Sequence, residues 1–203
     1  VFPDLSPSAL LGSSSDETKN EAIARLQSRA FLSVFIKEKK VGPVLFKDLW
    51  DSQKNTWVEM EPKDIPSEFD IYQKLLKNVL TVEEDINNGY VTVKIRLADR
   101  VLASSWANEL VERLNVTMAQ QARSDAQRNI IYLTEKVSTT LLPEIKKSLS
   151  ALLVEEEKKA MLSSASGSFV FNIIDPAYVS EEDEYVFPNR LLLSVLGFMF
   201  GFF

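Results

Sequence analysis

Any chemistry in this chain must be done without its commonest agents. The 203 residues include no Cys and no His, so disulfides, zinc sites of the usual kind, thiolate nucleophiles and His-based triads are excluded. The 6 Gly residues form no phosphate-cradling loop, and no Gly-Lys-Ser/Thr is present. Carboxylates remain. Glu83-Glu84-Asp85 is the densest acidic cluster in a strand-like stretch. Alternate strand side chains point to opposite faces, so the three cannot converge on one acid–base site, and a solvated edge is the reading. Glu155-Glu156-Glu157-Lys158-Lys159 reads as a solvated helix face with i,i+3 and i,i+4 pairs. Trp106 could be a ligand platform, but at its spacing it reads as core. Asn115-Val116-Thr117 matches a glycosylation acceptor, yet falls mid-helix. No catalytic residue, cofactor site or metal site is predicted. The net charge of −6 argues against nucleic acid, because phosphate contacts need a basic surface.

The stretch from Ala98 to Ala165 organises the rest. Asp99 is a good N-cap, and no Pro or Gly follows until Pro143. Leu102, Trp106, Leu110, Leu114, Met118, Ala122, Ala126 and Ile130 recur every four residues, and Leu133, Val137 and Leu141 carry the row on. The mean spacing, roughly 3.8, is wider than a left-handed coiled coil requires and predicts a nearly straight helix. From Asp99 to Thr140 it would be about 63 Å long, more than one small domain can bury. Pro143 is placed to open a second helix, with Thr140 as a possible cap. That helix carries Ile145, Leu149, Leu152, Leu153 and Met161 and ends near Ser163–Gly167. A strand-like run, Phe169 to Ile174, follows. The spacing predicts a helical hairpin that rises from a base and returns to it.

The remaining elements form that base. Thr18-Lys19-Asn20-Glu21 is a possible capping box for a first helix, with Ile23, Leu26, Ala30 and Val34 on one face and Gly42-Pro43 as its stop. A short helix ending near Trp50 and a turn at Asp51–Asn55 come next. Ser67 to Lys77 reads as another short helix. Leu80, Val82 and Ile86 alternate with polar residues, as do Val91, Val93, Ile95 and Leu97, around the turn signal Asn87-Asn88-Gly89. This hairpin and residues 169–174 are expected in one small mixed sheet backed by the first helix, an α+β class. Hydrophobic residues are 45% of the chain, charged residues 26%, which is globular composition. Leu191 to Phe203 carries no charge. It is too short to span a bilayer by itself but fits the start of a transmembrane helix, with Gly197 and Gly201 as a small-xxx-small pair.

Several segments together resemble the Wzz-type chain-length determinants, or polysaccharide co-polymerases. They are Ala22 to Leu32; Leu45-Phe46 with Trp50 and Trp57; the hairpin running into Trp106-Ala107-Asn108, Leu110-Val111 and Leu114-Asn115; Met161-Leu162; Phe169 to Ile174; Asp175-Pro176-Ala177; and Pro188-Asn189-Arg190-Leu191. The likeness covers nearly the whole chain from about residue 20. Asp175-Pro176-Ala177, followed by a proline and the apolar run, is its most specific part. Val179-Ser180 stands where members often have Pro, and Arg100 follows Asp99 where many have Pro. Family members begin with a cytoplasmic tail, a first transmembrane helix and a first base strand, which would precede Val1.

The resemblance implies a non-enzymatic protein of the bacterial inner membrane, flanked by transmembrane helices and mainly periplasmic in this region. Residues 1–98 and 164–187 would form a membrane-proximal base, 99–163 the projecting helical hairpin and 188–203 the start of the second transmembrane helix. Asp175, Pro176, Pro188, Arg190, Gly197 and Gly201 would be membrane-proximal motif residues. Such proteins form homo-oligomeric rings, typically octamers. They set the modal length of O-antigen-like polymers with the membrane polymerase and its lipid-linked glycan. Met118, Ala122 and Ala126, on the drifting apolar row, are the expected subunit contacts. The alternatives are an adaptor for capsule or exopolysaccharide polymerisation and export, and a generic membrane-anchored coiled-coil tether.

Overall fold

Ser28 divides what apolar spacing presents as one first helix. In the computed structural model, which describes residues 15–59, 61–165 and 168–179, the helices are Ser15–Gln27 (α1) and Arg29–Glu38 (α2). Ser28 between them is extended, with ψ 144°, and its hydroxyl accepts from the Phe31 amide at 3.3 Å. The side chain thus offers the next turn an N-cap and diverts the backbone from helix. Phe31, Leu32, Phe35 and Ile36 of α2 are buried.

The stop of α2 falls at Lys40 rather than at Gly42-Pro43. Lys40 takes the left-handed conformation, with φ 49°, and Val41–Leu45 then forms one short helix (α3). Pro43 lies in its first turn, where a missing N–H removes no helical bond. Gly42 is there for space. A Cβ on it would sit 2.9 Å from Ile71 Cδ1 and 3.4 Å from the Trp57 ring.

A 3-10 turn, Lys47–Leu49, ends the helical stretch near Trp50, and a small ribbon closes around the turn expected at Asp51–Asn55. Trp50–Asp51 (β1) pairs antiparallel with Thr56–Trp57 (β2). The rings of Trp50 and Trp57 meet edge-on at 5.1 Å. Ser67 and Asp70 form a reciprocal capping box on Glu68–Lys74 (α4), which runs into a π turn, Leu75–Val79. Leu80–Glu84 (β3) then pairs antiparallel with Val91–Ile95 (β4), in a register that sets Leu80 opposite Ile95. Asp85 accepts hydrogen bonds from Asn87 and Asn88 in the turn, and Gly89 supplies a φ of 72°.

The long helix, α5, spans Arg100–Thr139, and Asp99 caps it by accepting from the Leu102 amide. Its 40 residues make about 60 Å. Thr140 caps this helix and not the next: its N–H and hydroxyl both donate to Lys136 O. Pro143–Ala165 (α6) returns antiparallel along α5. The core lies between α1, α2, α4 and the first half of α5, around Leu26, Leu32, Phe35, Leu75, Trp106 and Leu110.

The expected α+β class is therefore overturned. The chain is mostly helical, with two separate two-stranded ribbons and no mixed sheet among the described residues. Residues 169–174 are not a strand: they have no regular structure, with bends at Phe169, Val170 and Ile174. Phe-Val-Phe-Asn-Ile-Ile favours an extended backbone, but that preference does not name a partner. Here the partner is a helix side chain. The flanking transmembrane helices of that expectation find no counterpart among the described residues either. No helix among the described residues is long and apolar enough to cross a membrane. The expected segment 188–203, with Pro188, Arg190, Gly197 and Gly201, lies outside the described residues.

Candidate functional site

Two asparagines on one face of α5 hold the returning chain. They are two helical turns apart, so they look the same way. Asn115 is 2% exposed. Its Oδ1 accepts from the amides of Val170 at 3.0 Å and Phe171 at 2.9 Å, and its Nδ2 donates to Phe171 O at 2.9 Å. Asn108 does the same for one residue further on. Its Oδ1 accepts from Ala177 N at 2.8 Å and its Nδ2 donates to Ala177 O at 2.9 Å. A carboxamide presents one donor and one acceptor side by side, as a neighbouring strand would. Residues 168–179 are thus fastened to α5 as a strap, and both asparagines bond only its main-chain groups.

Beneath the strap, Phe169 is buried with Leu114 and Met118, and Trp106 stands edge-on to Phe35 at 5.5 Å. Trp106 is 2% exposed and is core, with no face open to a ligand. Asn115 cannot serve as a glycosylation acceptor, because its amide is spent on the strap.

Ion pairs fix the end of α2 against the same helix. Arg113 bonds Glu38 and reaches Glu109 at 3.5 Å, while Lys39 pairs with Glu109 at 2.6 Å. The Arg113 hydrogen bond holds the Glu38 carboxyl below its ordinary range, and Glu38 in turn pushes the Arg113 guanidinium up. Arg113 also lies over the Phe35 ring. The network is structural: it clamps α2 to α5.

The acidic cluster at the hairpin is divided among separate tasks. Glu83 pairs with Lys94, Glu84 with Lys19 of α1, and Asp85 builds the turn. Among the described residues no group of three or more acidic side chains comes together at metal-binding range. On α6, Glu156 turns one carboxylate oxygen inward, where it has no hydrogen-bond partner among the described residues.

The expected subunit contacts lie elsewhere than on a free surface. Met118 is 5% and Ala126 0% exposed, and Ala122 is half-buried against the core. They are covered by the chain itself, Met118 by the core and Ala126 along the part of α5 that α6 flanks. A row drifting round a single helix did not disclose which part the return helix would cover. The apolar residues left open on the hairpin include Ile131, Tyr132, Leu141, Leu142, Ile145, Leu152, Val154 and Met161, with Val101 and Val116 nearer the base. Asp175 and Pro176 are exposed on the strap between its two fastenings. The two asparagines were missed as site residues. Their signal was a pair of amides at heptad spacing beside the apolar row, next to Ala107 and Leu114. No protein-family model matches the chain, and no curated protein and no solved structure is similar to it.

Proposed function

We propose that this chain is the periplasmic part of an oligomeric scaffold that regulates polysaccharide chain length, acting beside a membrane polymerase at the bacterial inner membrane. One observation carries the need for partners. α5 is about 60 Å long, whereas the 23 residues of α6 reach about 35 Å. α6 starts at the far end, so this shortfall falls on the base half of α5, which the core covers, yet at the far end Leu141 is still 96% and Ile131 71% exposed, with Tyr132 and Leu142 also open. A contiguous apolar end of this kind calls for a protein neighbour. The segments that resemble the chain-length determinants supply the choice of function, and a projecting hairpin on a helical base suits a scaffold. Copies standing side by side would make heterologous contacts that close into a ring.

The test pairs assembly with product. Native mass measurement of the full-length protein in detergent should give a closed homo-oligomer. Ile131→Asp and Leu141→Asp should weaken it and broaden or shift the lipopolysaccharide ladder on a gel. A monomeric wild type, or a deletion strain with an unchanged ladder, refutes the reading. The unchanged ladder would favour the tether.

A further inference from the structure

The two asparagine fastenings do not match the length of chain between them. Asn108 and Asn115 are about 10.5 Å apart along the helix axis. From Phe171 to Ala177 the chain would reach about 20 Å if fully extended. The difference, about 9 Å, is taken up in an arc. Its residues Asn172, Ile173, Ile174, Asp175 and Pro176 are all exposed, and the backbone bends at Ile174 and Asp175. Among the described residues no hydrogen bond or ion pair ties the arc to the core: Phe169, buried, and Val170 and Phe171, packed against the core, lie at the upper fastening, whereas Tyr178 and Val179, below the lower one, are exposed.

We propose that residues 168–179 are an extensible tether with two independent latches. The upper latch is Asn115 with Phe169 beneath it. The lower latch is Asn108 alone. When the lower latch opens, the arc straightens, and the chain past Ala177 shifts by up to about 9 Å while the upper latch stays shut. The lower latch reads only the backbone groups of Ala177, so the strap can reseat there without any side chain finding a pocket. Segments held by few buried contacts and half-exposed hydrogen bonds open separately from a core. The device lets the hairpin and whatever follows Val179 move relative to each other without unfolding. It does not depend on the proposed function.

The absence of Cys allows site-specific spin labels. One pair, Ser105→Cys with Tyr178→Cys, reports the lower latch; another, Glu112→Cys with Asn172→Cys, reports the upper. Asn108→Ala should lengthen the first distance by up to about 9 Å and leave the second unchanged. Asn115→Ala should disturb the second. In the unlabelled wild type, the Ala177 amide should exchange with solvent faster than that of Phe171, and both faster than that of Leu110 in α5. Asn108→Ala should speed Ala177 exchange about fivefold or more with Phe171 and Leu110 unaltered. The proposal is overturned if Asn108→Ala leaves the first distance unchanged. It is overturned equally if both distances broaden together, if strap and Leu110 amides exchange at one common rate, or if the variant strips protection from Leu110.

Discussion

A negative charge placed at Ala126 and one placed at Ile131 should have opposite consequences, although the two positions are barely more than one helical turn apart. Ala126 is fully buried, while Ile131 is 71% exposed. In Ala126→Asp the added carboxylate enters the stretch of α5 flanked by α6, out of contact with water. An uncompensated buried charge costs about 3–5 kcal/mol, and the Ala-to-Asp loss of helix propensity adds about 0.5 kcal/mol. In Ile131→Asp the charge stays in water and only propensity changes, by a few tenths of a kcal/mol at most, roughly. The assay is urea unfolding followed by helical circular dichroism on dilute, monomeric chain. With a slope of about 2–3 kcal/mol per molar urea, Ala126→Asp should lower the midpoint by about 1–3 M and Ile131→Asp by under about 0.2 M. On the assembled protein the order reverses: Ile131→Asp should release subunits from an otherwise folded chain. Equal midpoints for the two variants would refute the burial argument, and with it the assignment of Ala126 to the chain's own packing.

Three further outcomes follow from local geometry. Gly42→Ala should lower the unfolding midpoint, by about 1–2 kcal/mol in stability, since its Cβ would meet Ile71 at 2.9 Å; the Ile71→Val background should relieve part of the loss. Asp99→Ala removes the cap on the Leu102 amide and should cost about 1 kcal/mol, whereas Asp99→Ser should cost little in the same melt. Glu38, Glu68 and Asp70 are each held below their ordinary range, by hydrogen bonds from Arg113, Ser33 and Ser67 respectively. A depressed folded-state value makes the unfolded chain the better proton acceptor, so these groups stabilise the fold at neutral pH. Their contribution should begin to fall below about pH 4.5 and vanish once the folded carboxyls protonate. Glu38→Gln should flatten the Glu38 part of that acid limb in a pH series of thermal melts.

Sequence alone determined the features whose cause lies within a few residues. Asp99 and the uninterrupted run behind it mark the start and continuity of α5. Asn87-Asn88-Gly89 marks the turn between β3 and β4, and Ser67 marks the start of α4. Each depends on a cap, a turn conformation or a helix breaker, and these act over one turn of backbone. The breaks at Ser28 and Lys40 were harder to read, because Ser is tolerated inside helices and nothing local forces a lysine into the left-handed region. The placement of Phe169 to Ile174 was not legible at all. Its preference for an extended backbone was evident from residue type, but the group that holds it belongs to Asn115, 55 to 56 residues away. Likewise, the row through Met118, Ala122 and Ala126 announced an apolar face without saying which neighbour would cover it. Only the tertiary structure decided that, since burial of a helix face depends on where the return helix and the core come to lie, and periodicity carries no information about the partner.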